Sequence, residues 1–193
     1  MNKLFCTAIL IICLSGIKPV WISAQSKDST LITWSDSYKL TYDDFIGQPG
    51  KDAEVALTSS GIYFLYEYDG ENKLTVQLSS MFDKTKSWFK EDGKVPQVLS
   101  HEQTHFDITE LNVRLLRKAL MEKSFRKANN FDVMLPRIYN EYTGKCSQMQ
   151  HDYDNQTNHG TDTDAQKGWE KKVAKQLEEL KQYNATEMVF KVN

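Results

Sequence analysis

Hydrophobic and polar residues change rhythm several times along this chain, and each change of period predicts an element. Leu31-Ile32-Thr33-Trp34 and Tyr38-Lys39-Leu40-Thr41 have the apolar, β-branched and aromatic content of short strands, and Gly47-Gln48-Pro49-Gly50 marks a loop. Val55 to Tyr68 is β-branched, aromatic and small. After the turn Asp69-Gly70-Glu71-Asn72, the run Lys73 to Met81 alternates, with Leu74, Val76 and Leu78 on one side and Thr75, Gln77 and Ser79 on the other. A period of two with one apolar side predicts a β-hairpin that buries one face. Phe82 to Gly93 reads as a loop whose Trp88-Phe89 forms a lid or, in the preferred reading, a hydrophobic plug.

Beyond Gly93 the period lengthens. Pro96 stands where a helix likes to begin, and no further Pro or Gly interrupts Gln97 to about Ala128. The apolar residues of this stretch, among them Val98, Leu99, Phe106, Ile108, Leu111, Leu115, Leu116 and Leu120, are spread around the cylinder, as in a helix covered on several sides. A second helix is predicted from Asp132 to about Met149, with Pro136 in its first turns. Gln150 to Asp164 is polar and aperiodic and reads as a long loop. Thr163 and Gln166 have the spacing of a capping box, opening a third helix that buries Trp169, Val173, Leu177 and Leu180; Met188-Val189-Phe190 closes the chain as a strand. Strands first and helices afterwards predict an α+β fold, with an N-terminal antiparallel sheet packed against the long helix and further helices behind it.

At 193 residues the chain suits one domain with a substantial core. Met1 to Ala24 reads as a secretory signal: Lys3 supplies the positive start, Leu4 to Ile17 the apolar run, and Ser23-Ala24-Gln25 the small-residue cleavage site. The run is too short for a stable membrane span, and Leu10-Ile11-Ile12-Cys13 is a poor lipid-attachment box. The expected product, residues 25–193, is a single secreted or periplasmic domain. Its loss of Lys3 and Lys18 takes the basic count from 24 to 22 against 26 acids, a formal charge of −4 that gives no support for nucleic-acid binding. Cys6 and Cys13 leave with the signal, so Cys146 has no intramolecular partner; a lone cysteine of this kind is more often a small buried hydrophobe than a ligand.

The candidate chemistry lies on the long helix, at His101-Glu102-Gln103-Thr104-His105. Two histidines four apart stack on one helix face and can share one zinc ion, while the glutamate beside the first supplies a base for zinc-bound water. Such a string arises by accident in roughly one chain of this length in a hundred. A hydrolytic zinc site needs a third protein ligand and an open position. The metzincin extension is absent, since Ile108 and Leu111 stand where it needs Gly and His, and Glu110 lies on the far side of the helix. The remaining histidines, His151 and His159, both fall in the polar stretch after Gln150. His159 is preferred, because Gly160 permits a tight turn and Tyr153-Asp154 lies near; Glu122 and Glu141 are the carboxylate alternatives. Glu102 is the expected general base and Tyr153 the candidate donor to a developing oxyanion, or else a packed anchor. Asp107 and Asp154 are candidates to orient a ligand imidazole, Asp107 with solvated helix charge as its other reading. An extended peptide could add to an exposed edge of the hairpin.

The segments Leu40-Thr41-Tyr42-Asp43-Asp44-Phe45, Thr58-Ser59-Ser60-Gly61-Ile62, Ser87-Trp88, Ser100 to Ile108 and Tyr153 to Gly160 resemble the bacterial domain of unknown function 922. That family is described as secreted zinc-dependent proteases. The resemblance runs from about Trp34 to Leu180 and implies a small zincin-like domain, one Zn²⁺ held by His101, His105 and His159, Glu102 as catalyst, and a peptide or protein substrate. Two other functions compete with a metallopeptidase: a zinc hydrolase of a non-protein amide such as a cell-wall component, and a catalytically inactive module that keeps zinc as a staple. Intact Glu102 disfavours the last.

Overall fold

The alternating run after the Asp69 turn becomes the central strand of a five-stranded sheet. The computed structural model describes residues 30–50, 54–126 and 131–193 together with a two-residue strand, Ile9–Leu10. We number the strands β1 (Ile9–Leu10), β2 (Leu31–Thr33), β3 (Ala56–Leu57), β4 (Ser60–Tyr68), β5 (Lys73–Asp83), β6 (Trp88–Phe89) and β7 (Glu187–Lys191), and the helices α1 (Pro96–Met121), α2 (Phe131–Thr157) and α3 (Thr163–Glu179). β4 and β5 form the expected hairpin, in register from Ser60 opposite Phe82 to Tyr68 opposite Leu74. The other edge of β5 is shared end to end by β2, which faces Met81 to Asp83, and β7, which faces Lys73 to Gln77. β1 runs parallel to β4 on the remaining edge. Apart from Ile9–Leu10, the expected signal segment lies outside the described residues. No described helix is long and apolar enough to cross a membrane.

Strict alternation puts Leu74, Val76, Leu78, Ser80 and Phe82 of β5 on the buried face. Three apolar clusters then surround α1. Val113, Leu116 and Leu120 pack on the sheet together with Leu135, Ile138 and Tyr139 of α2. Phe106 joins Ile32, Leu40, Phe45, Phe82 and Phe89 at the other end of the sheet. Ile108 and Leu111 meet Tyr153 of α2 and Trp169, Val173 and Leu177 of α3. Coverage on several sides is what the scattered apolar positions of this helix require, and each fully buried large side chain contributes about 1.5–3 kcal/mol. Trp88 and Phe89 pair with Ala56–Leu57 and are buried, as a plug would be.

Four expectations need correction. Tyr38 to Thr41 is not a strand; it leads into a 3-10 turn at Tyr42–Asp44, because the Asp44 carboxylate gathers Tyr38 Oη, Thr41 N and Thr41 Oγ1 and pairs with Lys84. α1 stops at Met121 and not near Ala128, since Phe125 leaves the helical path to bridge Val192 and enter the core. The polar stretch after Gln150 is helical as far as Thr157, which leaves only residues 158–162 between α2 and α3. α3 is capped by Asp162, whose side chain accepts from Asp164 N and Ala165 N, so Gln166 is free of any capping role.

Candidate metal centre

Spacing of four residues puts His101 and His105 on one face of α1, and the same spacing puts Gln150 and Asp154 on the facing side of α2. The two helices bring these pairs into register. Nε2 of His101 and Nε2 of His105 stand 3.1 Å apart, and Oδ1 of Asp154 lies 3.1 Å from the first and 3.0 Å from the second. All three side chains are buried. Three donors about 2.0–2.1 Å from one tetrahedral ion stand roughly 3.4 Å apart, so this triangle is close to the face that such an ion needs. Asp154 Oδ2 is buried too and has no hydrogen-bond partner among the described residues.

The outer partners decide which ring nitrogen carries the proton. Gln150 Nε2 donates to the His105 carbonyl at 2.9 Å and to Thr109 Oγ1 at 3.1 Å, which fixes its amide with Oε1 toward His105. His105 Nδ1–H donates to that oxygen at 2.6 Å. Gln166 is oriented in the same way: its Nε2 donates to Glu170 at 2.8 Å, and its Oε1 accepts from Tyr153 Oη at 2.7 Å and from His101 Nδ1 at 3.0 Å. An amide oxygen accepts only, so both neutral imidazoles hold their proton on Nδ1 and turn the Nε2 lone pair to the centre. Two imidazole nitrogens and a carboxylate oxygen thus converge where a metal ion could be held. A proton is the competing occupant. Burial opposes charge on His105, yet the hydrogen bond and charge of Asp154, with Glu102 and Gln150, raise its pKa to about 8. Asp154 is held well below the usual carboxylate range, the two histidines outweighing its burial.

Glu102 follows His101 by about 100° around α1. Its side chain is buried beside the cluster, and no hydrogen bond from the described residues engages its carboxylate, although Thr58 Oγ1 donates to its backbone carbonyl at 3.2 Å. Tyr153 is fully buried and stacks on the His101 ring, centroids 4.6 Å apart, with its hydroxyl committed to Gln166. Burial pushes that hydroxyl far above the usual tyrosine value.

The turn after α2 closes the arrangement. Asn158, His159 and Gly160 all have positive φ, 46°, 52° and 76°. His159 N donates to the Asp154 carbonyl at 2.8 Å and Gly160 N to Thr157 Oγ1 at 3.1 Å, which secures this costly backbone. Gly160 lies flat on His101: a Cβ there would sit 3.0 Å from Cγ and Nδ1 of the ring. Its carbonyl accepts from Gln97 Nε2 at 2.6 Å, tying the turn to the first turns of α1.

His159 itself stands at the rim, its side chain 62% exposed and its Nδ1 3.8 Å from Asp154 Oδ1. The set of donors within 4.8 Å of one another is His101, His105 and Asp154. His151 is half-buried on α2, and Glu141, on the exposed side of that helix, pairs with Lys145 at 2.7 Å. Thirteen residues separate Glu141 from Asp154, roughly 20 Å of helix. Glu122 is exposed just beyond the far end of α1, and Cys146 is buried in the sheet-facing core. Asp107 does not orient either histidine; it accepts from Trp34 Nε1 at 2.7 Å and Gln103 Nε2 at 2.9 Å.

Sequence reasoning missed Gln150 and Gln166 and gave Asp154 a lesser part. The signal for Gln150 and Asp154 is a stripe at 146, 150, 153, 154 and 157, helical in spacing and buried on α2, but polar enough to hide from a hydrophobic period, while Gln166 stands on α3 three residues before the buried Trp169.

Among known families, the model described as Bacterial protein of unknown function (DUF922) matches residues 72–160. The match begins at the second hairpin strand and ends at the turn holding His159 and Gly160, and so contains every donor of the centre. No curated protein and no solved structure matches the chain significantly.

Proposed function

We propose that this chain is a secreted or periplasmic zinc-dependent hydrolase of amide bonds, a metallopeptidase in its most specific reading, with a zincin-like arrangement of helix and sheet. The observation that carries the proposal is the convergence of two imidazole Nε2 atoms and one carboxylate oxygen, with Nδ1 of each ring hydrogen-bonded to the amide oxygen of a buried glutamine. Two nitrogen donors and one oxygen donor suit zinc, and three protein ligands leave a coordination position open. Export rests on the Met1 to Ala24 pattern.

In this reading His101, His105 and Asp154 hold the ion, and His159 stands beside them at the rim. Bound zinc supplies a Lewis acid and a water acidic enough to ionise near neutral pH. Glu102, close by and with a carboxylate that no described residue engages by a hydrogen bond, takes a proton from the attacking water at that carboxylate and returns it to the leaving nitrogen. Tyr153 acts through His101 by stacking on its ring and sharing Gln166, which keeps the imidazole in place.

The test uses the mature protein, metal analysis and two substrate sets, a mixed peptide library and cell-wall fragments. Wild type is expected to hold one zinc per chain and to cleave one set. Glu102→Gln keeps the zinc and loses about 10²–10⁴ in turnover; Asp154→Asn loses the zinc. A Glu102→Gln variant as active as wild type sinks the mechanism. Full zinc occupancy in Asp154→Asn together with its loss in His159→Ala hands the third position to His159.

A further inference from the structure

On the opposite side of α1 from the histidines, a stripe of charge is buried: Glu110, Arg114 and Arg117, none more than 3% exposed. Glu110 Oε1 accepts from Arg114 Nε and from Arg117 Nη1, each at 3.0 Å. Backbone carbonyls accept three further guanidinium hydrogen bonds. Arg114 Nη1 reaches Leu177 O at 2.7 Å, while Arg117 reaches Tyr183 O at 2.9 Å and Leu78 O at 2.8 Å. Arg114 also lies over the Trp34 ring, 5.0 Å from its centroid.

These three residues form the floor of a cavity of about 180 Å³, whose mouth carries the exposed residues Asp36, Asn184 and Thr186. Two of the residues that line it each carry a buried polar atom with no hydrogen-bond partner among the described residues, Arg117 Nε and Ser80 Oγ. Ser80 is the single polar side chain in the buried row of β5, where a hydrophobic residue would otherwise continue the pattern. Leaving a buried donor unmet costs about 1–3 kcal/mol, and more when it is charged. The floor holds two guanidiniums against one carboxylate, a net single positive charge. Among the described residues Asp36, at the mouth, is the one further charged group lining the cavity, and it reaches Arg114 Nη2 loosely, at 3.7 Å.

We propose that this cavity binds a small monocarboxylate. One carboxylate oxygen accepts from Arg117 Nε and the other from the Ser80 hydroxyl, meeting both orphaned donors with a planar group and matching the single net charge of the buried floor, the lining as a whole being neutral once the solvent-exposed Asp36 is counted. A phosphate dianion would bring one negative charge too many. Asp36 is then an internal competitor, its carboxylate filling part of the same demand from the solvent side. Arg114 lies nine residues beyond His105, roughly 14 Å along the helix, so the cavity is separate from the metal centre and does not depend on it.

The experiment titrates acetate, propionate and inorganic phosphate against the mature protein at constant ionic strength with chloride as balance. Unfolding temperature is read alongside the fluorescence change that Trp34→Phe removes. A saturable rise in unfolding temperature with acetate or propionate is expected. Ser80→Ala, which removes an atom with no partner and so keeps the fold, weakens that binding about tenfold, and Asp36→Asn strengthens it. An acetate response no different from chloride overturns the proposal. So does a response that Ser80→Ala leaves unchanged, and a saturable response to phosphate alone overturns the carboxylate assignment.

Discussion

The two sides of α1 bury polar groups in opposite ways. On the sheet-facing end of one stripe, Glu110, Arg114 and Arg117 are charged groups that pair with one another and with backbone carbonyls of the chain. On the other, His101, His105 and Asp154 point lone pairs at one another, while the protons that would satisfy them are drawn outward by Gln150 and Gln166. Coulomb attraction within the chain holds the first cluster together; the second is held apart from its own best proton arrangement by its neighbours. A helix that stabilises itself would carry the first kind of cluster only. The second kind sets three potential metal ligands within reach of one another, which is why the metal reading attaches to it and not to the more heavily charged arginine stripe.

The largest effect that would separate the two is predicted for Glu110→Gln. It leaves two buried guanidiniums without their counter-charge, and removing one partner of a buried ion pair costs about 3–5 kcal/mol. Denaturant unfolding in the presence of chelator measures this, while zinc stoichiometry below the transition should stay at the wild-type value. Loss of zinc from the folded variant would show that the two stripes are one cooperative unit. Next in size are Gln150→Ala and Gln166→Ala, which release the Nδ1 protons from their acceptors without touching a donor to the ion. Each is expected to weaken zinc about 10–100-fold, read by chelator competition. Gln166→Ala should have the broader consequence, since the same amide oxygen also binds Tyr153 and its nitrogen binds Glu170. If neither change moves the affinity, the tautomer argument fails even if zinc binds.

The contrast also explains what could be read in the sequence. The hairpin, the long α1 and the pairing of His101 with His105 were legible because each rests on a local period, two for β5 and 3.6 for α1. The end of α2 was not. Gln150, Tyr153, Asp154 and Thr157 face inward as polar residues because they surround the site, so the stripe that identifies a buried helix face is written there in hydrogen-bonding groups. Read as a loop, the segment placed His159 as the ligand and Asp154 as its helper; read as a helix, it puts Asp154 one turn after Gln150, directly opposite the histidines. The arginine stripe escaped for the same reason. Glu110, Arg114 and Arg117 look like a solvated helix face, and only the sheet and Leu177, Tyr183 and Leu78 carbonyls, distant in sequence, make them interior.

The smallest expected effect concerns Asp44, a buried carboxylate whose balance runs opposite to that of Glu110. Burial raises its pKa, but Thr41, Tyr38 and Lys84 outweigh that and hold it below 3.8; burial prevails at Glu110, which is pushed up despite both arginines. The signs have opposite consequences. A carboxyl whose folded pKa is depressed contributes stability that is fully present above its unfolded value and is lost as pH falls through the folded one. Asp44→Asn removes the charge and the acceptor that organises the Tyr42–Asp44 turn, and should cost about 1 kcal/mol at neutral pH, the size of a lost cap. Because Asp44 is ionised in both folded and unfolded chains above about pH 5, the gap between wild type and variant should be flat there and should narrow as pH falls below 3.8. Unfolding curves for both proteins across that range test it. A gap that instead narrows as pH rises would place Asp44 with Glu110, as a carboxyl governed by burial.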